Sequence, residues 1–161
     1  MLPKDPGLLI VACDGAARGN PGPAGIGVVV QEAGGRVRAR VGKGIGIATN
    51  NVAEYSAAIE GLTRAAELGA RSVLLRSDSK LLIEQLSGRW RVKNPTLIRL
   101  HREARGLLGR FGPVSLEHVP RELNREADRL ANQGVDEWLA GPGRGYRAPG
   151  PAPALFERES P

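Results

Sequence analysis

The stretch Ile10–Gly27, IVACDGAARGNPGPAGIG, decides the fold. An apolar run ends on one carboxylate, Asp14, and the chain then turns to Gly, Asn and Pro. The continuous apolar segment Leu8–Cys13 predicts a short strand buried on both faces. A charge at the end of such a strand is costly unless something pairs with it. Asp14 therefore either closes an Asx turn with the Gly-rich loop that follows, or is aimed at something cationic.

Two further strands follow. Ala24–Gln31 is apolar and β-branched; Arg36–Ile45 alternates, with Val37, Ala39 and Val41 set against Arg36, Arg38 and Arg40. Glu32–Gly35 between them reads as a hairpin turn, so the chain opens as a three-stranded antiparallel meander. From Asn51 to Leu68 the period changes: Val52, Tyr55, Ile59, Leu62 and Ala66 mark one helical face, and Gly69 ends it. Ser72–Leu75 predicts a fourth strand, Ser79–Ser87 a short helix, Pro95–Leu108 a helix with Pro in its first turn, Ser115–Val119 a fifth strand and Leu123–Leu139 a last helix. The order βββαβααβα is that of one α/β domain built on a five-stranded mixed sheet. Residues 1–139 form this domain, and the Gly/Pro-rich residues 140–161 read as a passive disordered tail, with docking of its Leu155-Phe156 pair onto a partner as the alternative.

The chain of 161 residues carries a net charge of +6, which suits a polyanionic partner without identifying one. Its longest apolar runs fall well short of the roughly 20 residues of a membrane span, and its start lacks a secretory cleavage pattern. A single cysteine, Cys13, excludes an internal disulfide or a cysteine metal cluster, and the expected compartment is the cytoplasm.

Four acids stand near element boundaries: Asp14 after strand one, Asp78 after strand four, Glu54 in the first turn of the long helix and Asp128 early in the last helix. Each has a plain structural reading. Asn51-Val-Ala-Glu54 matches a capping box, Asp78 could cap the helix at Ser79, and Asp128 lies between Arg125 and Arg129 on a helix face. As a set they read differently. Ligand sites in open α/β sheets form outside the carboxyl ends of strands, and parallel, adjacent strands one and four would bring Asp14 and Asp78 together there. Converging carboxylates repel unless a cation fills the cluster, and an all-oxygen donor set selects Mg²⁺ or Mn²⁺ over zinc.

At these residues the sequence resembles the ribonuclease H type 1 family, in its compact prokaryotic and archaeal form. The matching segments are DGAARGNPGPAGIG, TNNVAEYSAAIEGL, RSDSKLLIEQL and NREADRLAN, in family order from about residue 8 to residue 138. The resemblance implies the ribonuclease H fold and a nuclease that cuts the RNA strand of RNA–DNA hybrids, leaving 5′-phosphate and 3′-hydroxyl ends. It implies that Asp14, Glu54, Asp78 and Asp128 are the catalytic acids and hold two Mg²⁺, with Mn²⁺ an alternative. Paired metals of this kind lower the pKa of an attacking water and neutralise the leaving oxygen. Asn20, Asn50 and Asn51 fall on residues that touch the nucleic acid, and Thr49 with Asn20 on a pocket for a DNA-strand phosphate. Only the 2′-hydroxyl separates RNA from DNA at a fixed backbone position, and short polar side chains beside Gly19, Gly22 and Gly25 suit close approach to it.

Arg89-Trp-Arg-Val-Lys93 combines aromatic and basic character; Trp90 and Lys93, with Asn94 after them, are candidates for DNA-strand contact, against a reading in which Trp90 is core. The chain departs from many family members in two places. The loop Pro120–Asn124 holds no histidine, so His118 is read as structural and Glu122 as the one substitute in reach; the Gly88–Pro95 span is too short for a basic protrusion. The rival readings are a nuclease for double-stranded RNA or DNA junctions on the same fold, and a non-catalytic nucleic-acid-binding module. The chain is expected to be a monomer with no obligate protein partner.

Overall fold

A computed structural model describes residues 7–141. Strands β1 (Leu8–Ala17), β2 (Gly22–Glu32) and β3 (Val37–Ala48) lead into helix α1 (Asn50–Glu67). Then come β4 (Ser72–Ser77), α2 (Lys80–Leu86), α3 (Pro95–Leu108), β5 (Val114–His118), a 3₁₀ turn at Arg121–Leu123 and α4 (Arg125–Ala140). The sheet order is β3-β2-β1-β4-β5. The first three strands are antiparallel neighbours, while β4 runs parallel to both β1 and β5. The expected mixed five-stranded sheet and element order are therefore present. The predicted tail and its Leu155-Phe156 pair lie outside the described residues.

The meander turns where expected: the Gly35 N–H donates to the Glu32 carbonyl at 2.8 Å, and Gly35 takes a φ of 102°, which glycine adopts without a Cβ clash. The strands run longer than their apolar patterns. Strand β1 continues through Asp14 to Ala17 because β2 keeps hydrogen-bonding it, down to Ala17 opposite Ala24. Asp14 is thus inside a strand and not in an Asx turn. Burial in β1 also alternates. Leu9, Val11 and Cys13 are buried, whereas Leu8, Ile10 and Ala12 are half-covered, since α4 lies chiefly over β2 and β3. The expectation of a strand covered fully on both faces holds for one face only.

Helix α1 packs against β1 and β2, and α3 packs against α1. Fully buried Tyr55 connects these layers: its hydroxyl donates to Gln85 Oε1 at 2.6 Å, and Gln85 Nε2 donates to the Arg91 carbonyl at 3.1 Å. This chain of bonds fixes the loop that carries Trp90 and Lys93 relative to the helix that carries Glu54. On the other face, α4 meets β2 and β3 at near backbone contact. A Cβ on Gly27 would lie 1.9 Å from the Ala127 carbonyl oxygen, and one on Gly25 2.4 Å from that of Ala131. Gly25 therefore serves helix packing, and Gly22 a tight loop against the Arg18 carbonyl, not an approach to a nucleic-acid groove.

Candidate active site

The parallel pairing of β1 with β4 ends at Ala12 opposite Arg76. Two residues further along each chain stand Asp14 and Asp78, side by side at the carboxyl end of the sheet centre. Glu54 arrives from α1. Gly15 makes this possible: a Cβ there would lie 2.3 Å from the Ala53 carbonyl carbon, so only glycine lets the helix backbone settle against the strand. The Gly15 N–H then donates to Glu54 Oε1 at 3.1 Å. One carboxylate oxygen from each of Asp14, Glu54 and Asp78 lies within 4.8 Å of the others. Asp128, in the first turn of α4, lines the same open cleft of about 600 Å³.

The plain readings of these acids fail on their partners. Thr49, not Asn51, caps α1, its Oγ1 accepting from the Val52 N–H at 3.2 Å, and Glu54 takes no part in a capping box. Ser79 caps α2, accepting from the Leu82 N–H at 3.1 Å, which leaves the Asp78 carboxylate unused. Arg129, one neighbour of Asp128, turns to Glu126. Nearby Arg18 pairs with Asp136 and Arg76 with Glu117. Among the described residues no Lys or Arg forms an ion pair with any of the four acids.

Burial and crowding act on the protons. Asp14 is pushed up to about 9, first by burial and then by the charges of Glu54 and Asp78. Glu54 is raised to about 8 by burial and by Asp78, against the opposing pull of the Gly15 N–H. Burial, with these same acids, also lifts the Cys13 thiol well above its usual range, so it is inert. Buried acids without a cationic side chain fit a divalent metal with oxygen ligands, and the donor set matches Mg²⁺ or Mn²⁺.

Around this centre, Asn20 Oδ1 accepts from the Asn50 N–H at 2.9 Å, tying the β1–β2 loop to the start of α1. Asn50 lines the cleft, and Asn51 beside it is exposed. Trp90 is 43% exposed with the Lys80 ammonium 5.9 Å from its ring centroid, so it is not a core residue. Lys93 is exposed, while Asn94 caps α3, its Oδ1 accepting from the Thr96 and Leu97 N–H groups at 2.9 and 3.1 Å.

Three residues were missed by the sequence reading. His118 is exposed and lines the carboxylate cleft; the signal was its place at the end of β5, opposite Ser77 in the parallel register. Arg121 lines the cleft beyond it, where Glu122 does not. Asn124 is 3% exposed, and its Nδ2 donates to the Cys13 carbonyl at 2.9 Å, next to Asp14. Its own carbonyl accepts from the Asp128 N–H at 3.1 Å, so one residue braces both Asp14 and Asp128.

A mixed sheet of order 3-2-1-4-5, with acids gathered at the carboxyl ends of its central parallel strands, defines the ribonuclease H-like class. Residues 12–134 match the family described as Reverse transcriptase-like. The chain is 49% identical over 129 residues to the Bifunctional protein Rv2228c of Mycobacterium tuberculosis, covering 80% of this chain and 35% of that protein. It is 48% identical over 124 residues to Ribonuclease HI of Halobacterium salinarum, covering 77% and 62%. It also superposes on LC11-RNase H1 in complex with RNA/DNA hybrid with a TM-score of 0.78 at 39% identity, covering 81% of this chain and 99% of that one. The chain belongs to the ribonuclease H type 1 family. It spans about a third of the mycobacterial relative and under two thirds of the haloarchaeal one.

Proposed function

We propose that this protein is a ribonuclease H: a metal-dependent endonuclease that hydrolyses the RNA strand of RNA–DNA hybrids and leaves 5′-phosphate and 3′-hydroxyl ends. The observation that carries the reading is the trio of carboxylate oxygens within 4.8 Å, in an open cleft and with no Lys or Arg among the described residues ion-paired to them. The likeness to a protein held with RNA/DNA hybrid supports the substrate.

Asp14, Glu54, Asp78 and Asp128 would hold Mg²⁺, with Mn²⁺ an alternative. When bound, two such ions supply a water acidic enough to attack phosphorus and neutralise the charge that develops on the leaving oxygen. The chain's own residues supply position. Asp14 stands within the β1–β2 ladder and Asp78 directly after the last residue of β4, which keeps their geometry rigid. Glu54 is oriented by the Gly15 N–H and is placed to accept a hydrogen bond from a 2′-hydroxyl. Asn20, Asn50 and Asn51 read the minor groove beside it, and Thr49 with Asn20 receives a DNA-strand phosphate. Trp90, Lys93 and Asn94 contact the DNA strand further out. The protein works as a monomer in the cytoplasm, where its one thiol stays reduced. Among the described residues no helix is long and apolar enough to cross a membrane.

The test uses hybrids labelled on either strand, with Mg²⁺, Mn²⁺ or chelator, for wild type and Asp78→Asn. The expected result is metal-dependent cutting of the RNA strand alone, lost in the variant, with double-stranded RNA and DNA left intact. A folded wild type that cuts no hybrid with either metal overturns the reading.

A further inference from the structure

The basic charge is not spread over the molecule. Between Arg89 and Arg110 the sequence holds seven Arg and Lys against one acid, Glu103. That surplus equals the net charge of the whole chain, +6, so the rest is balanced. Several of the cations elsewhere are held by carboxylates: Arg18 by Asp136, Arg40 by Glu126, Arg76 by Glu117, and Lys43 and Arg64 both by Glu60; within the band Arg89 is held by Glu84. Among the described residues, Arg91, Lys93, Arg102 and Arg110 form no ion pair, and all four are exposed.

Topology lays these cations out in a line. β5 is parallel to β4 and begins with Val114 opposite Val73, at the end of the sheet away from the acids. Helix α3 must therefore run from the acid end to the opposite end. Its inner side carries Leu97, Leu100, Ala104 and Leu108, all buried, so Arg102 sits at the centre of the outer side with Arg99 and Arg105 flanking it. Arg105 and Arg89 both line a groove of about 540 Å³, Arg105 donating to the Leu86 carbonyl at 2.7 Å and Arg89 paired with Glu84. From Lys93 to Arg110 the band extends roughly 25 Å at helical rise, the axial length of about seven base pairs.

We propose that this outer face of α3 is a second contact surface for nucleic-acid duplex, engaging backbone phosphates beyond the catalytic cleft. It rests on the hybrid-cleaving reading for its substrate, and it makes capture of long duplexes, not the chemical step, depend on α3. Exposed guanidinium and ammonium groups recognise backbone phosphate and carry no sequence information, so the contact is general for duplex backbone.

The variant Arg102→Gln/Arg110→Gln removes two exposed cations far from the four acids and should fold as wild type does, which circular dichroism checks. Binding of a labelled 30-base-pair hybrid is followed by fluorescence anisotropy in chelator, which needs no cleavage. Each phosphate contact contributes about 0.9 to the slope of log affinity against log salt, hence about 8-fold in affinity at 0.1 M. The double variant should lose between about 8-fold and about 60-fold, and its salt slope should fall by about 0.9 to 1.8. A 10-base-pair hybrid, too short to engage cleft and helix together, should show a smaller difference between the two proteins than the long one. Equal affinities and slopes on the long hybrid overturn the proposal. Metal-dependent cleavage of the short hybrid reports separately on the catalytic reading, so the two fail independently.

Discussion

Removing one acid from the cluster should make the metal-free protein more stable, by an amount that grows with pH. Asp78→Asn is the perturbation, because the Asp78 charge raises both Asp14 and Glu54. Between the ordinary carboxylate range near 4 and the folded values of about 9 and about 8, the native protein keeps protons that the unfolded chain has released. Native stability without metal therefore falls as pH rises through that window. At pH 7 both groups are largely protonated, so the repulsion from Asp78 is little expressed and the variant should gain well under about 1 kcal/mol. Near pH 9.5 both are largely charged. A fully charged pair 4.8 Å apart repels by about 3.5 kcal/mol at an effective dielectric near 20. Asp78 faces two such partners, and solvent and relaxation absorb part of this, which leaves a gain of about 2–3 kcal/mol.

The assay is thermal unfolding in chelator at pH 7.0 and 9.5, read as the difference between variant and wild type so that other titrating groups cancel. With about 3–4 °C per kcal/mol for a chain of this size, Tm of the variant should exceed wild type by a few degrees at most at pH 7 and by about 6–12 °C at pH 9.5. Adding 10 mM Mg²⁺ should raise Tm of wild type and narrow the gap, because bound cation stabilises only the intact cluster. A pH-independent difference, or a variant less stable than wild type at pH 9.5, would refute the electrostatic account of the site.

Three other outcomes follow from contacts already described. Gly15→Ala sets a Cβ into the α1 backbone and should cost about 1–3 kcal/mol in urea unfolding while cutting hybrid cleavage far more than that loss explains, since Glu54 moves with the helix. Asn124→Ala removes the side-chain bond to the Cys13 carbonyl that ties the start of α4 to β1 and should cost about 1–3 kcal/mol, with a higher Mg²⁺ concentration needed for half-maximal cleavage; an unchanged metal titration would reduce Asn124 to a packing residue. His118→Gln should lower kcat by up to about 10²-fold with KM unchanged if the exposed ring in the cleft moves protons, and steady-state kinetics showing wild-type kcat would leave it as a wall of the site.

The sheet and its acids were legible because two independent signals agreed: the change of hydrophobic period at Asn51, and charges placed just past apolar runs. Boundaries were less legible. β1 continues through Asp14-Gly-Ala-Ala because the backbone ladder with β2 does not depend on side-chain pattern. The start of α1 was misplaced because Thr49 and Asn51 are both good caps, and only the Thr49 contact to Val52 decides between them. His118 carried no local signal at all; its relevance comes from β5 lying beside β4, a pairing between segments some forty residues apart. Trp90 could be core or surface by composition, and the bond from Gln85 to the Arg91 carbonyl holds its loop outward.

The glycines of β2 and β3 were the largest feature that a strand reading undervalues. Glycine inside a strand costs about 0.5–1 kcal/mol relative to alanine, and here Gly25, Gly27, Gly42 and Gly44 accumulate that cost on adjacent strands. Each lies under α4, where a Cβ would fall between 1.9 and 2.7 Å from helix atoms. Gly134 answers from the helix side, 2.4 Å from the Lys43 carbonyl carbon by the same measure. The helix thus rests on bare backbone, closer than any side-chain layer would allow. Asp128 is on that helix, and its distance from Asp14 is set by that depth. Side chains at these positions would lift α4 away from the sheet and carry the fourth carboxylate out of reach of the other three. The glycine floor is therefore a requirement of the site as much as of the fold, although none of its members adjoins any of the four acids in sequence and Gly27 meets Asp14 only across the strand ladder.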